Sequence, residues 1–306
     1  MRGEYSESAA PHVEALRRLI LANHRYAGGL IEKAELRFGA QWVSDFDGLL
    51  ASLFQDDAEL SLAAKGYSAF AFDSMRRQKK FEKSLRYEDK AYADAVQEVY
   101  LNEHYMLEEY LPGLLLSHFL WPHYYQQLQF FDAAFLAHLG QTSESDFIDV
   151  GVGSGLFSRR ILERVPSARG RGFDISPASC SYAASNVASV GAAARYEVIC
   201  LDVRAGPIGS ADWLVCTDVL EHLEHPVEFL KVLRGALRPG GRAFISAAVN
   251  AAHADHIYLY RSAHEVEAHL VEAGFIIEQG YFANAFAPPG QGVPVPAAAA
   301  FVVYEK

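Results

Sequence analysis

The chain has 306 residues, 51% of them hydrophobic, enough for one large core or two of unequal size. Its 27 Lys and Arg against 38 Asp and Glu give a formal charge of −11, which opposes nonspecific attraction to nucleic acid or an anionic membrane, so a small-molecule or protein partner is expected. Three cysteines, Cys180, Cys200 and Cys216, in no CxxC spacing offer no disulfide framework or zinc knuckle; with no apolar leader in "MRGEYSESAAPHVEAL" and no membrane-length apolar run, a reducing cytoplasm is the expected compartment.

From Pro11 to about Leu139 the pattern is helical. Val13, Leu16, Leu19 and Ile20 recur at helical spacing behind Pro11, and the double glycine 28–29 marks a kink or break. The basic run "MRRQKKFEKSLRYEDK" reads as a solvated helix face. "YADAVQEVYLNEHYMLEEYLP" repeats the helical period through Val96, Val99, Tyr100, Leu107 and Tyr110 and is expected to stop before Pro112. "YLPGLLLSHFLWPHYYQQLQFF" follows, rich in aromatic residues and histidine, as an amphipathic connecting segment.

After residue 145 short apolar runs alternate with helical segments. The runs are Phe147–Val150, Gly170–Phe173, Tyr196–Leu201, Trp213–Thr217 and Arg242–Ala247. This alternation predicts right-handed crossovers and a parallel sheet with helices on both faces. The last runs, "FIIEQGYF" and "AAAFVVYE", are joined by "ANAFAPPGQGVPVP", too rich in proline for a crossover helix, so they are expected to pair as an antiparallel hairpin. No repeat or low-complexity tract is visible.

In such a sheet, ligands bind beyond the carboxyl ends of the strands where strand order reverses. "DFIDVGVGSGLFSRRIL" places Gly151, Gly153 and Gly155 there, and Asp174 ends the second strand about 20 residues on, where a carboxylate accepts from ribose hydroxyls. A nicotinamide cofactor and S-adenosylmethionine share these features. Three details favour the latter. Leu156 stands where a GxGxxG loop needs its third glycine; Asp149 before the loop suits a cationic ligand better than a pyrophosphate; and Asp202, beside Val203, offers an acceptor for an exocyclic amine.

The motifs "DVGVGSG", "FDIS", "LDV", "CTDVLEHLEHPVEFLKVLRGALRPGGRAFIS" and "DHIYLYRSAHEVEAHLVEAGF" together resemble those of class I S-adenosylmethionine-dependent methyltransferases, in the branch similar to ubiquinone and menaquinone biosynthesis enzymes. The resemblance covers roughly residues 145–306. It implies an α/β, Rossmann-like sheet of seven strands, mostly parallel with an antiparallel last strand and flanked by helices, in a catalytic domain at 140–306. An N-terminal all-helical domain or cap at 1–139 would shape the acceptor pocket or form a homodimer surface. The resemblance implies that Asp149, Gly151, Gly153 and Gly155 contact the methionine part of S-adenosylmethionine, Asp174 and Ile175 the ribose, Asp202 and Val203 the adenine, and Thr217 and Asp218 the region under the sulfonium. His222 would close the cofactor pocket, and the product would be S-adenosylhomocysteine.

A sulfonium methyl is already activated, so the expected reaction is direct SN2 displacement by a small-molecule acceptor, with the protein aligning it and removing a proton where needed. Candidate bases are His222, His256 and His123. Candidate acceptor contacts are His104, Tyr105, His118, Trp121, Tyr124 and Tyr125 before the first strand and Asn250, His253 and Tyr258 after the fifth. No metal is expected: His264 and His269 of "HEVEAH" lie about 140° apart around a helix, and spacing places no third ligand beside His222 and His225. The competing readings are a nicotinamide-dependent oxidoreductase, sharing the strand, glycine loop and acid, and a noncatalytic cofactor-binding protein acting through its helical part.

Overall fold

The computed structural model describes residues 10–23, 29–142 and 145–305; Gly28 of the double glycine lies outside them. Three long helices open the chain: α1 (Pro11–Asn23), α2 (Leu30–Leu53) and α3 (Asp57–Ser84). Gly29 stands directly before α2, and a second glycine, Gly39, kinks that helix with a φ of 69°. Asp56 caps α3 by accepting from the backbone N–H groups of Ala58 and Glu59. The basic run on α3 is a solvated face. Arg76 and Arg77 pair with Asp73, and Arg77 and Lys80 reach Glu88.

The next stretch departs from a single regular helix. α4 (Tyr92–Ala95) widens into a π-helical turn at Val96–Tyr100, Asn102 caps α5 (Glu103–Tyr105), and a second π-turn covers Met106–Tyr110. Pro112 does not stop the helix as expected; it is the second residue of α6 (Leu111–Leu120), which continues from the second π-turn with Tyr110 itself in helical conformation. After Trp121 come α7 (Pro122–Phe131), a third π-turn (Asp132–Leu136) and α8 (Ala137–Leu139).

The sheet then forms from β1 (Ser145–Val150), β2 (Ala168–Asp174), β3 (Tyr196–Cys200), β4 (Ala211–Cys216), β5 (Leu237–Val249), β6 (Phe275–Asn284) and β7 (Ala297–Glu305). Its order is β3-β2-β1-β4-β5-β7-β6, with β7 antiparallel to both neighbours and the other pairs parallel. The expected hairpin of the last two strands is present. Strand order reverses between β1 and β4, which puts the Gly151–Gly155 loop at the switch point. The crossover helices are α9 (Leu156–Arg164), α10 (Pro177–Ala188), α11 (Pro226–Gly235) and α12 (Ala263–Glu272).

Two hydrophobic clusters cover the faces of the sheet. Ile148, Leu214, Ile245 and Val303 pack with α11 and α12 residues on one side. On the other, Phe147, Phe157, Trp213 and Phe244 join Trp42, Phe46, Phe119, Phe131 and Phe135 of the helical part in one cluster. The helices up to residue 139 are therefore laid on the sheet. Arg160 of α9, itself buried, adds a charged tie by pairing with Asp45 of α2 and Asp132. Among the described residues, no helix is long and apolar enough to cross a membrane.

Candidate active site

Each wall of the principal cavity arises from a strand end or from the cap. β1 delivers the chain into Gly151, whose φ of 72° requires glycine; a Cβ there would lie 2.4 Å from Val219 Cγ2. Gly153 donates its N–H to Asp174 Oδ2 at 3.1 Å, and Ser176 N donates to Oδ1 at 2.9 Å, which fixes the Asp174 carboxylate at the end of β2. Burial nonetheless raises its pKa. After β3, Asp202 and Val203 face the same cavity. Asp202 is paired with Arg204, whose guanidinium stacks 4.3 Å over the ring of Tyr92 from the cap. After β4, Thr217 and Asp218 line the floor; Asp218, at φ 52°, accepts from Ser246 Oγ at 2.8 Å, and burial pushes its pKa up to about 6.

Beyond the floor the cavity is walled by rings. His222, His253 and His256 face it from the loops after β4 and β5; Phe70, Tyr100, Tyr110, His118, Trp121 and Tyr124 come down from the cap. Ring centroids lie 5.9 Å apart for Phe70 and Trp121 and 5.4 Å for Phe70 and His253. His222 and His256 are 5.1 Å apart. The first two π-turns thus each bring a tyrosine into the cavity, at the kind of site where such bulges are often found.

Behind this wall lies Asp255, fully buried. Its Oδ2 accepts from Tyr110 at 2.7 Å and Tyr100 at 3.1 Å and stands 3.5 Å from His222 Nε2, while Oδ1 has no partner. Burial alone would raise this carboxyl, but the imidazoles of His222 and His256 and the Tyr110 phenol outweigh it and hold Asp255 well below the carboxylate range. Burial lowers His222 and His256, and brings His253 to about 4, so these rings are neutral near pH 7. His256 Nδ1 donates to Ala251 O at 2.7 Å. Ser74 Oγ gives its hydrogen to Phe70 O, so His253 Nδ1 is the donor in its 3.2 Å contact with Ser74. The Nε2 atoms of both rings are acceptors.

Of the residues singled out in the sequence, Gly151, Gly153, Asp174, Ile175, Asp202, Val203, Thr217, Asp218 and His222 line the cavity, as do His118, Trp121, Tyr124, His253 and His256. Others are placed elsewhere. Asp149 is buried beneath the loop, accepting from Ser158 Oγ at 2.6 Å, and burial raises it to about 7. Gly155 serves as the turn into α9 against Ala183. His123 stacks behind Tyr124 at 4.4 Å, and Tyr125 packs in the core against Phe38 and Phe119. His104 is on the surface, paired with Glu108, and Tyr105 packs behind Tyr110. Asn250 holds its own loop through Arg261 O, and Tyr258 bonds His269. His264 is exposed beside Glu267. Where spacing found no third group for His222, the fold supplies two, since Glu221 and His256 bring side-chain N and O atoms within 4.8 Å of it and of one another.

Sequence reasoning missed Glu221, Tyr100, Tyr110 and Phe70 as site residues. Glu221 adjoins His222, which was a usable signal; the tyrosines are set by π-turns that periodicity does not reveal.

Comparison with known proteins decides between the ligands this loop could serve. Residues 148–243 match the family model described as a methyltransferase domain. The chain carries a methyltransferase domain over these residues. Over 100 residues, 32% of its length, it is 33% identical to ubiquinone biosynthesis O-methyltransferase of Idiomarina loihiensis and 31% identical to that of Cupriavidus pinatubonensis. These matches span 40% and 39% of the relatives' own lengths. Human N-acetylserotonin methyltransferase, solved in complex with S-adenosylmethionine, shares the fold of the methyltransferase domain and part of the helical region: TM-score 0.55 at 13% identity, over 80% of this chain and 70% of that one. The residues of the cavity fit S-adenosylmethionine. A glycine cradle at the switch point, a fixed carboxylate at the end of β2 and an acid-lined floor provide close backbone approach, a diol acceptor and compensation for a sulfonium charge.

Proposed function

We propose that the protein transfers the methyl group of S-adenosylmethionine to a small-molecule acceptor by direct displacement, in the cavity between the helical cap of residues 1–139 and the catalytic domain of residues 140–306. One observation carries the reading: a single cavity runs from Gly151 and Asp174 past Asp218 to the rings of His222, His253, Phe70 and Trp121. The bound cofactor supplies an activated methyl, and the chain supplies everything else. Asp174, with Ile175 beside it, takes the ribose, Val203 and Asp202 border the adenine under the Tyr92 and Arg204 lid, and Thr217 and Asp218 lie beneath the sulfur. Gly151 and Gly153 allow the methionine part to approach the backbone.

The aromatic rings exclude water and hold the acceptor in line with the carbon–sulfur bond, a positioning that reaches about 7–11 kcal/mol in favourable cases. Neutral His222, backed by Asp255, is the group placed to take a proton from an acceptor that has one to lose. His256 and His253 line the same space, whereas His123 is screened from it by Tyr124. Incubating the full chain with methyl-labelled S-adenosylmethionine and a panel of small phenols, amines, thiols and carboxylates tests the reading. We expect labelled small-molecule product together with S-adenosylhomocysteine. Cofactor binding without turnover on the whole panel would support a noncatalytic role instead.

A further inference from the structure

Several buried polar atoms at the acceptor end have no hydrogen-bond partner. Glu221 is fully buried and lines the cavity; its Oε1 takes the N–H of Ala248, Oε2 has no partner, and burial, with Asp218 nearby, raises its pKa well above the usual carboxylate value. Asp255 Oδ1, buried behind His222, is likewise unpartnered. The Nε2 atoms of His253 and His256 are acceptors, because both rings donate through Nδ1. His118 also spends its Nδ1 hydrogen, on Leu114 O, and its buried Nε2 has no partner. A buried acceptor without a donor is destabilising, more so for a carboxylate, and a ligand that brings donors recovers that loss.

The same region lacks a cation. Arg204 is the one Lys or Arg among the described residues lining the cavity, and it is spent on Asp202 and Tyr92 at the opposite end. Arg77 is held by Asp73 and Glu88, and Lys90 by Glu98 and the carbonyl of Ala254. An oxygen acceptor that gave its proton to His222 would build up negative charge beside Asp218, Glu221 and Asp255, with no Lys or Arg among the described residues lining that end of the cavity to receive it. A nitrogen acceptor reverses the electrostatics, since positive charge leaves sulfur and appears on nitrogen, which these carboxylates stabilise as it develops.

From this we infer that the acceptor is an amine carried on a flat or aromatic body, the nitrogen placed toward Glu221 and His222 and the body between Phe70, Trp121 and Tyr124, so that the chain is an N-methyltransferase. This rests on the methyl-transfer reading above. The amine enters as an ammonium and gives one proton to His222; its freed lone pair forms the new N–C bond as the C–S bond breaks and its electron pair stays on sulfur, and the methylated nitrogen then carries the positive charge.

The test uses the chelator-treated full chain, with tyramine as a probe bearing both an amine and a phenol, and phenethylamine, 4-ethylphenol and 3-phenylpropionate as matched single-function probes. With S-adenosylhomocysteine bound, phenethylamine should bind at least tenfold more tightly than the phenol or the carboxylate. The Glu221→Gln and Asp255→Asn variants should each reduce that preference severalfold while their affinity for S-adenosylhomocysteine changes less than twofold. Any product from tyramine should carry the methyl on nitrogen. The inference is overturned by methylation of the phenol, by phenol binding that appears only when magnesium or zinc is added, or by equal or absent binding of all three single-function probes. Failure to bind S-adenosylhomocysteine at all would instead remove the methyl-transfer reading, and this inference with it.

Discussion

Asp149 illustrates how a residue's neighbours redirect its role. Its position before the glycine loop suggested contact with a cationic ligand, yet the side chain turns under the loop to Ser158. Burial raises its pKa from 3.8 to about 7, so the folded chain binds a proton that the unfolded chain releases near pH 4. Stability contributed by the neutral form is present below the unfolded value and is lost as pH rises toward 7. In the ligand-free protein, Asp149→Asn removes this dependence. Its stability relative to the parent should rise by up to about 1.4 kcal/mol for each pH unit between 4 and 7 and stay level above 7, as read by urea unfolding. A constant difference across that range would show that Asp149 is ionised in the fold.

Among the elements, α3 and the second π-turn approach each other closely at Gly66. A Cβ on Gly66 would lie 2.1 Å from the carbonyl oxygen of Glu108, so α3 can touch the Met106–Tyr110 turn only through a glycine. Gly66→Ala must push that turn outward, and Tyr110 with it. Overpacking of this kind costs about 1–3 kcal/mol. The thermal midpoint should fall accordingly, and affinity for phenethylamine should drop by more than that for S-adenosylhomocysteine, because Tyr110 borders the acceptor end. Elements of this kind were the least legible in the sequence. The strand runs and the final hairpin followed from apolar periodicity and from proline placement, because burial on both faces of a parallel sheet imposes a near-continuous apolar pattern. The π-turns left no such mark. One added residue per turn shifts every side chain after it, and the second π-turn is held in that geometry against α3 and α10.

For the molecule as a whole, the clearest feature is that the helical and α/β parts are not independent in their packing. Phe131, Phe135, Phe157, Trp213 and Phe244 form one cluster with Trp42 and Phe46, and Arg160 ties α9 to Asp45 and Asp132. Unfolding should therefore be a single event. Far-ultraviolet circular dichroism, dominated by the cap helices, and tryptophan fluorescence from Trp42, Trp121 and Trp213 should give coincident denaturation midpoints; two separated transitions would mean the cap folds alone. The cofactor end of the site was readable from the sequence because strand-end motifs are local: glycine loop, acid, acid. The acceptor end was legible only in part, through His118, Trp121, Tyr124 and His253, because it is assembled from α3, the first two π-turns, α6 and two loops more than 100 residues further along the chain.

The central claim is that the cavity at the β1 and β4 switch point holds the methyl donor. Isothermal calorimetry of the full chain against S-adenosylhomocysteine and NADH tests it most directly, with Asp174→Ala as the control. The account predicts one S-adenosylhomocysteine bound per chain, affinity lowered at least tenfold, about 1.4 kcal/mol, by Asp174→Ala, and no heat from NADH. Tight NADH binding with none of S-adenosylhomocysteine would contradict it.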